Sequence, residues 1–346
     1  MAKATKTTAS PTLKTPIDDG GYQADFLGSK FKIPFPELSD AHKQDLVKLP
    51  GGKSKIDYLH YSVVMCKSRR LAYFTAVNID GTEWQNNPRI GVFQADPRLD
   101  ATADQLGAKL YSATKSDFDK GHLVRREDPE WGTPAISKQA GKNTFWYPNC
   151  TPQHKDLNRM IWAELESNIL HTGADEQNLR INLFTGPILS PNDGVFVTQV
   201  EGKDILIPNL FWKVVVWTRS DGKAYAVGFI QSQEKFLIAG GIIKKQFVAN
   251  AKGLKALTDD DIFEHLVFKD GKTYQVKIDQ IEKLSGLTFN WPAVTRPFKA
   301  AAPKALSGTK VPNPKKKMKE LAKRKGFVGA GFGNMQLNVK IKGLTL

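Results

Sequence analysis

The fold is decided by residues 117–171, which read DFDKGHLVRREDPEWGTPAISKQAGKNTFWYPNCTPQHKDLNRMIWAELESNILH. Residues 121–126 are predicted to be extended, and the aromatic run at residues 144–147 is predicted to form a second strand. A loop that contains proline and glycine separates them. Residues 156–170 have helical periodicity, so the stretch is predicted to form a strand, a loop, a strand and a helix.

The predicted helix has one apolar side and one side that carries polar groups. Every fourth residue is apolar along the first side, at Leu157, Ile161, Leu165 and Ile169. A helix advances by about 100° per residue, so Asn158, Trp162 and Glu166 share another side, where we assign Trp162 to core packing. An amide oxygen and a carboxylate facing the same way suit one hard cation with several waters, as is typical of Mg²⁺. We expect His122, on the opposing strand, to point at the same place.

Outside this stretch, runs rich in β-branched and aromatic residues indicate a sheet. A hairpin is predicted at residues 61–65 and 71–77, with Asp80 and Gly81 marking the turn that follows. Further strands are predicted at residues 181–185, 195–200, 210–217 and 224–230, and helices at residues 234–250, 259–266 and 278–284. We therefore expect an α+β fold with a central antiparallel sheet flanked by helices.

Composition divides the chain into three parts. Residues 1–20 are predicted to be a flexible arm, residues 21–296 the folded domain, and residues 297–346 a basic tail. The net charge is +15, but from residue 301 onward eleven basic residues stand against one acidic residue, so that the remainder of the chain carries only +5. The tail either solubilises the protein or raises its affinity for nucleic acid, and the sequence leaves both readings open.

The sequence also argues against several classes of protein. It shows no apolar core for a secretory signal and no run of about 20 apolar residues, so we expect neither a signal peptide nor a membrane span. A cytoplasmic location is the default expectation, with export by a non-classical route open. Two cysteines, Cys66 and Cys150, cannot form a disulfide framework, and the sequence does not decide whether they pair. Paired cysteine or histidine units are missing, which disfavours a zinc finger.

Several short segments, taken together and in order, carry a resemblance to a known family. The first is Asp119-Lys120-Gly121-His122, followed by the NCTPQ segment that begins at Asn149 and by the LNRMIWAELE helix segment. Downstream stand LFTGPI at residues 183–188, IPNLFWK at residues 207–213 and IEKLSGL at residues 281–287. Over roughly residues 55–290 the chain resembles the DNA/RNA non-specific endonuclease family, whose site is a ββα-metal motif.

The resemblance implies a metal-dependent endonuclease that hydrolyses DNA and RNA and leaves 5′-phosphate and 3′-hydroxyl ends. It implies Mg²⁺ as the cofactor, with Mn²⁺ as an alternative. In this family pattern His122 is the general base, Asn158 is the direct protein ligand of the metal, and Glu166 holds metal-bound water.

The resemblance also implies roles for the neighbouring residues. Asn149 orients the histidine or its water, and Asp119 supports the local network. Lys120 stands where the family usually has arginine; a lysine can neutralise a phosphate but lacks the two-pronged guanidinium. Arg89 is the candidate for an upstream arginine that stabilises the transition state.

The same chemistry follows from the residue types. Phosphodiester hydrolysis needs a nucleophile, charge neutralisation and assistance to the leaving group, which one neutral histidine and one hydrated metal can supply. Contacts limited to phosphate and sugar read no sequence, which explains low specificity. With His122 as the base, we expect the rate to fall on the acid side at roughly pH 6 to 7.

Two other functions remain open at the level of sequence. One is a catalytically silent nucleic-acid-binding protein on the nuclease scaffold, which Lys120 and the basic tail would suit. The other is a toxin or defence effector, active only in an assembly or in a target cell. DNA and RNA are the expected partners and a membrane is not; a homodimer and a regulatory or immunity partner are left open. The other five histidines are predicted to be structural.

Overall fold

The computed structural model describes residues 15–244, 273–297 and 305–306 of the chain. Within these residues nine strands form one central sheet, and short helices and smaller strand groups lie around it. The predicted α+β class with a central antiparallel sheet is therefore confirmed. The helix predicted at residues 259–266, residues 1–14 of the predicted arm and nearly all of the predicted tail lie outside the described residues.

The strands in chain order are β1 (Glu37–Leu38), β2 (Lys55–Tyr58), β3 (Tyr61–Cys66), β4 (Leu71–Asp80), β5 (Phe118–His122), β6 (Cys150–His154), β7 (Arg180–Ile188), β8 (Gly194–Phe196), β9 (Leu206–Ile207), β10 (Leu210–Thr218), β11 (Ala224–Ser232), β12 (Ile243–Lys244), β13 (Thr273–Val276), β14 (Leu287–Thr288), β15 (Val294–Thr295) and β16 (Ala305–Leu306). The α-helices are α1 (Asp40–Gln44), α2 (Ala108–Tyr111), α3 (Pro134–Asn143), α4 (Ala163–Ser167), α5 (Glu234–Ala239) and α6 (Ile278–Ser285). A 3₁₀ turn spans Tyr147–Asn149, and π-helical turns span Leu157–Trp162 and Asn168–Asp175.

The central sheet runs in the order β16, β13, β11, β10, β7, β4, β3 and β2, with each neighbouring pair antiparallel. The ninth strand, β15, pairs in parallel with β11. The predicted hairpin is β3 with β4, and three further predicted strands are β7, β10 and β11. The strand predicted at residues 195–200 is shorter, since β8 ends at Phe196.

The sheet is covered on both faces, as the composition of β10 illustrates. Trp212, Val214 and Val216 pack into the apolar cluster on one face. Val215 and Trp217 pack into the cluster on the other face. Because side chains alternate along a strand, a sheet buried on both sides requires mostly apolar residues on both faces, and in β10 the buried Lys213 is the charged exception.

The candidate motif is a separate two-stranded ribbon, β5 with β6, in which His122 pairs with Cys150. The prediction of a strand at residues 144–147 is wrong. Phe145, Trp146 and Tyr147 are buried in a turn, and the second strand begins at Cys150. Pro152 is tolerated within β6 because β6 pairs with β5 alone, so an N–H on its other edge is not needed.

The helix after the ribbon is confirmed from Leu157 onward, and its four predicted core residues are buried. It differs from the predicted geometry because π-helical turns flank α4, and such turns rotate side chains away from regular 100° spacing. Trp162 and Glu166 both reach Lys213 on β10, whereas Asn158 contacts Asp119 on β5.

Two other segments depart from the sequence expectations. The stretch expected to be a loop between the two motif strands contains α3, which Thr133 caps by accepting from the Ile136 N–H and which has Pro134 at its first position. The helix predicted at residues 234–250 ends at Ala239. Gly240 and Gly241 follow directly, and Gly241 has φ +60°, which a continuing helix does not allow.

The remaining predictions concern α6 and the cysteines. Helix α6 ends where expected, because Gly286 adopts the left-handed conformation that closes a helix, with φ +68°. Cys66 and Cys150 are both buried free thiols. Among the helices of the described residues, none has the length and apolar character needed to cross a bilayer.

Helix α4 and the two π-helical turns that flank it, residues 157–175, form one continuous helix, which we call the motif helix. Gly81 permits a close approach between the end of β4 and the end of this helix. A Cβ at this position would lie 2.0 Å from the backbone oxygen of Ala174. We expect Gly81→Ala to lower the free energy of unfolding by about 1–3 kcal/mol, the usual cost of overpacking. Gly107→Ala is the control: its Cβ would meet nothing closer than 4.0 Å, so it should cost only the exchange of the α2 N-cap residue, about 0.5–1 kcal/mol. Denaturant unfolding measures both, and equal stabilities would contradict the expectation.

Candidate active site

His122 lies at the end of β5 with its ring partly buried in an aromatic pocket. The imidazole lies 4.6 Å from the ring of Phe93 and 5.0 Å, edge-on, from the ring of Phe145. Among the described residues, His122 forms no ion pair with a carboxylate. The pocket therefore restricts the ring by packing. The polar groups that act on the imidazole are one hydroxyl, which affects its tautomer, and neighbouring cations, which affect its pKa.

The hydroxyl of Thr144 defines which imidazole nitrogen is basic. Thr144 Oγ1 lies 3.3 Å from His122 Nε2 and donates its own proton to the carbonyl of Gly141 at 2.8 Å. A hydroxyl that donates to this carbonyl can only accept from His122, and this arrangement corresponds to the tautomer with the hydrogen on Nε2. Nδ1 is then the nitrogen with the free lone pair.

Asn149 acts on the histidine through the backbone. Its amide is fully buried, accepts from the N–H of Val124 at 2.8 Å and donates to the Val124 carbonyl at 2.9 Å. It also donates to the carbonyl of Thr144 at 3.0 Å. The side chain thus joins the segment after His122 to the residue that contacts its ring. Asn149 thus reaches His122 through the neighbouring backbone and not through contact with the imidazole.

Asp119 joins the ribbon to the motif helix. Its carboxylate accepts from Asn158 Nδ2 at 3.0 Å and from two nitrogens of Arg159 at 2.6 and 2.7 Å. Because Nδ2 is directed at the carboxylate, the amide oxygen of Asn158 points away from it. Asp119 therefore contacts the candidate metal ligand directly, and its carboxylate holds the Nδ2 end of the Asn158 amide.

Glu166 is buried on the same helix and faces the central sheet. Its Oε1 lies 3.3 Å from the ammonium of Lys213, which is itself fully buried. Burial raises the pKa of Glu166, and the charges of Lys213 and Arg125 oppose that rise. The helix thus presents an amide at one end and a carboxylate two turns later, each held by a different partner.

Arg89 and Lys120 are cations that rest on aromatic rings near the histidine. The guanidinium of Arg89 lies 5.4 Å from the centre of the Phe145 ring, and that residue also contacts His122. The ammonium of Lys120 lies 5.9 and 5.8 Å from the rings of Tyr111 and Tyr147. Within the described part of the chain neither cation pairs with a carboxylate, so both charges remain available to a phosphate.

Sequence reasoning missed a network of buried charges directly after the histidine. Arg126 pairs with Glu127 and with Glu130 at 2.5 and 2.6 Å, and Arg125 pairs with Glu127 and donates to Ser167 on the helix at 2.9 Å. The signal was present in the RREDPE run at residues 125–130, where charged residues and one proline sit between apolar segments. Such a run usually indicates a solvated loop, but here the charges neutralise each other in the interior.

The surrounding cations act on the protonation of His122. Burial, followed by the charges of Arg89, Arg126 and Arg125, lowers the pKa of His122 well below its ordinary value of 6.5. The imidazole is therefore uncharged at neutral pH and has a lone pair free to accept a proton, although the same surroundings make it a weaker base. With His122 as the base, the fall in rate that the sequence places at roughly pH 6 to 7 is expected at lower pH.

The residues present fit a hydrated hard cation. Among the described residues no group of three His, Cys, Asp or Glu side chains is placed to hold a metal. Both carboxylate oxygens of Asp119 already accept hydrogen bonds from Asn158 and Arg159. The amide oxygen of Asn158 is therefore the candidate protein ligand. A donor set of one amide oxygen completed by water suits Mg²⁺ or Mn²⁺ and does not suit a metal that requires sulfur or nitrogen ligands.

Comparison with known families supports the resemblance read from the motif segments. The profile of the DNA/RNA non-specific endonuclease family matches residues 39–294, a slightly wider range than the quoted segments cover. That range contains the whole central site, from Arg89 through His122 and Asn158 to Lys213.

Individual relatives are more distant. An uncharacterized protein of Sinorhizobium fredii, y4fB, is 32% identical over 284 residues, or 78% of this chain and 38% of that protein. Human mitochondrial endonuclease G is 28% identical over 166 residues, or 41% of this chain and 54% of that protein. The chain thus spans less than two thirds of either relative. A crystal structure of an EndoG/EndoGI complex aligns with a TM-score of 0.45 at 17% identity, over 69% of this chain and 86% of that one.

The charges around His122 predict its titration. In NMR titrations its imidazole should remain neutral at pH 6.5 and protonate only below it, because burial and three arginines disfavour the cation. Arg89→Gln should raise the pKa of His122, since removing a positive neighbour favours the imidazolium. Arg219→Gln is the control, because its charge is not among those that act on His122. A wild-type imidazole that titrates at or above its ordinary pKa would contradict the geometry.

Proposed function

The chain belongs to the DNA/RNA non-specific endonuclease family, and we propose that it hydrolyses phosphodiester bonds in both DNA and RNA with one bound divalent cation. His122 is the general base, Asn158 is the protein ligand of the cation, and Glu166 orients water bound to it. The products carry 5′-phosphate and 3′-hydroxyl ends.

The contact between Asp119 and Asn158 is the observation that best supports this proposal. It holds the amide of the helix against the strand that bears the histidine, three residues before His122. Arg89 gives a second link, because its charge lowers the pKa of His122 and the charge of Asp119 in turn raises the pKa of Arg89. One phosphate bound at Arg89 would therefore lie near the base and near the amide together.

In the proposed reaction, His122 Nδ1 removes a proton from the attacking water. The hydrogen on Nε2 is donated to Thr144 Oγ1, and this hydrogen bond keeps Nδ1 free to act as the base. The lowered pKa keeps the imidazole unprotonated before each turnover. General-base catalysis of this kind contributes about 10²–10⁴-fold to a rate.

Arg89 and Lys120 bind the phosphate that is cleaved and the phosphate next to it. The aromatic rings against which Arg89 and Lys120 pack restrict these long side chains without neutralising their charges. Less conformational freedom is therefore lost when the substrate binds. The bound cation supplies charge neutralisation at the scissile phosphate and at the leaving oxygen. Because none of these groups reads a base edge, the proposed site accepts both DNA and RNA.

Incubation of plasmid DNA and of total RNA with Mg²⁺, with and without chelator, tests the activity directly. Cleavage of both that stops on chelation is the expected result. Binding of both nucleic acids without cleavage at any Mg²⁺ or Mn²⁺ concentration would instead identify a silent nucleic-acid-binding scaffold.

His122→Ala should lower kcat by about 10²–10⁴-fold and leave the circular dichroism spectrum and KM nearly unchanged, because only the base is lost. His42→Ala is the matched control, since His42 lies in α1 against Tyr73, apart from the ribbon. A variant at position 122 with wild-type kcat would refute the assignment of the base.

Asn158→Ala should raise the Mg²⁺ concentration for half-maximal rate by about 10- to 100-fold, because the proposed protein ligand is removed. Asn168→Ala is the control on the same helix, where the amide donates to the Glu164 carbonyl at 2.9 Å and serves only the helix. If the two variants need the same Mg²⁺ concentration, Asn158 is not the ligand.

A further inference from the structure

Lys213 is a charged residue in β10, a strand of the central sheet whose residues between its two ends are all buried. Its side chain has no exposed surface, and its neighbours along β10 are Trp212 and Val214. Taking an ammonium out of water costs several kcal/mol unless it is well paired. A fully buried lysine in this position therefore needs an explanation in terms of its contacts.

The ammonium contacts three different parts of the fold. It donates to Thr185 Oγ1 on β7 at 3.1 Å and to the carbonyl of Leu123 at 3.3 Å. It lies 3.3 Å from Oε1 of Glu166 on the motif helix. The ring of Trp162, one turn before Glu166, lies 4.5 Å from the same nitrogen.

Two of these contacts end at the candidate site. Leu123 directly follows His122, and its N–H donates to the carbonyl of Asn149 at 3.1 Å. Glu166 is the buried carboxylate of the motif helix. One ammonium on the central sheet therefore touches both the backbone next to the proposed base and the carboxylate proposed to orient water.

We propose that Lys213 is a positioning residue of the nuclease reaction. Its ammonium fixes the Glu166 carboxylate relative to the Leu123 carbonyl and so sets the spacing between the histidine strand and the motif helix. The proposal rests on the function proposed above. Lys213 does not touch substrate and acts only through Glu166 and the His122 segment.

A purely structural role does not account for this arrangement. A buried ion pair rarely adds stability over apolar residues of similar volume. Phe211 and Val215, which flank Lys213 on the same face of β10, show that apolar side chains are buried on this face. Oε1 of Glu166 makes no well-aligned hydrogen bond, so the ammonium holds it mainly by charge. The lysine therefore provides a fixed charge beneath the carboxylate that an apolar residue could not provide.

A double-mutant cycle between Lys213 and Glu166 tests the proposal. The variants are Lys213→Met, Glu166→Gln and the pair together, with kcat and KM measured on one DNA substrate at saturating Mg²⁺. Gln231→Met is the matched control, alone and with Glu166→Gln. Gln231 is a fully buried polar residue of the same sheet that donates to Ile161 of the same helix at 3.1 Å and makes no contact with Glu166.

We expect Lys213→Met to lower kcat by about 10- to 100-fold with little change in KM, as is usual for residues that orient a catalytic group. In the Glu166→Gln background it should cost less than about threefold, because the group it acts through has already been altered. Gln231→Met should change kcat by the same factor in both backgrounds.

The proposal is overturned if Lys213→Met lowers kcat by the same factor in the wild-type and Glu166→Gln backgrounds, or if it leaves kcat at the wild-type value. If Lys213→Met does not fold, Thr185→Val replaces it in the cycle, because it removes one acceptor of the ammonium and keeps both charges. Thr185→Val should lower kcat in the wild-type background only, and equal factors would again overturn the proposal. An inactive wild-type protein would overturn the proposed function together with this inference, whereas active wild type with equal factors overturns the inference alone.

Discussion

Three hydrogen bonds from the buried amide of Asn149 hold the backbone around the candidate histidine. The ribbon of β5 and β6 is too short to have a core of its own, so it cannot fix a catalytic side chain by packing alone. Asn149 ties Val124, which follows His122, to Thr144, whose hydroxyl contacts the imidazole. Asn149 thus connects the backbone on both sides of the imidazole, while Phe93, Phe145 and Thr144 contact the ring itself.

Charge is distributed around His122 so that the imidazole stays neutral. The arginines that follow it are paired with buried carboxylates, which keeps them in the interior at tolerable cost. Arg89 and Lys120 are held against aromatic rings instead. The paired arginines hold the backbone beside His122. Arg89 and Lys120 keep positive charge available for a polyanion, so a basic side chain serves one purpose or the other according to its partner.

The motif helix is attached to its surroundings at two points by different kinds of interaction. Asp119 holds the amide of Asn158 from the ribbon, and Lys213 holds Glu166 from the central sheet. Asn158 lies in the first π-helical turn and contacts Asp119 on the ribbon, whereas Trp162 and Glu166 contact Lys213 on the central sheet. A departure from regular helix geometry thus coincides with the residues proposed to act in catalysis.

The sequence by itself determined the features that local pattern controls. Alternating and β-branched runs located the main strands, apolar residues at every fourth position identified the buried side of the motif helix, and Gly286 marked the end of α6. The motif segments also named the family and the candidate residues from Arg89 to Glu166. It misplaced the second motif strand and missed α3, although Thr133 and Pro134 are a recognisable start signal for a helix.

Only the tertiary structure decided how the candidate residues are held. Lys213 meets Leu123 across 90 positions of sequence, and Asn149 meets Val124 across 25. The charged run at residues 125–130 gives no local signal of burial, because each of its charged side chains taken alone prefers water. It is buried because Arg126 finds Glu127 and Glu130 at the same point. Local propensity is a property of neighbouring residues, whereas the burial of a charge depends on partners that the fold alone brings together.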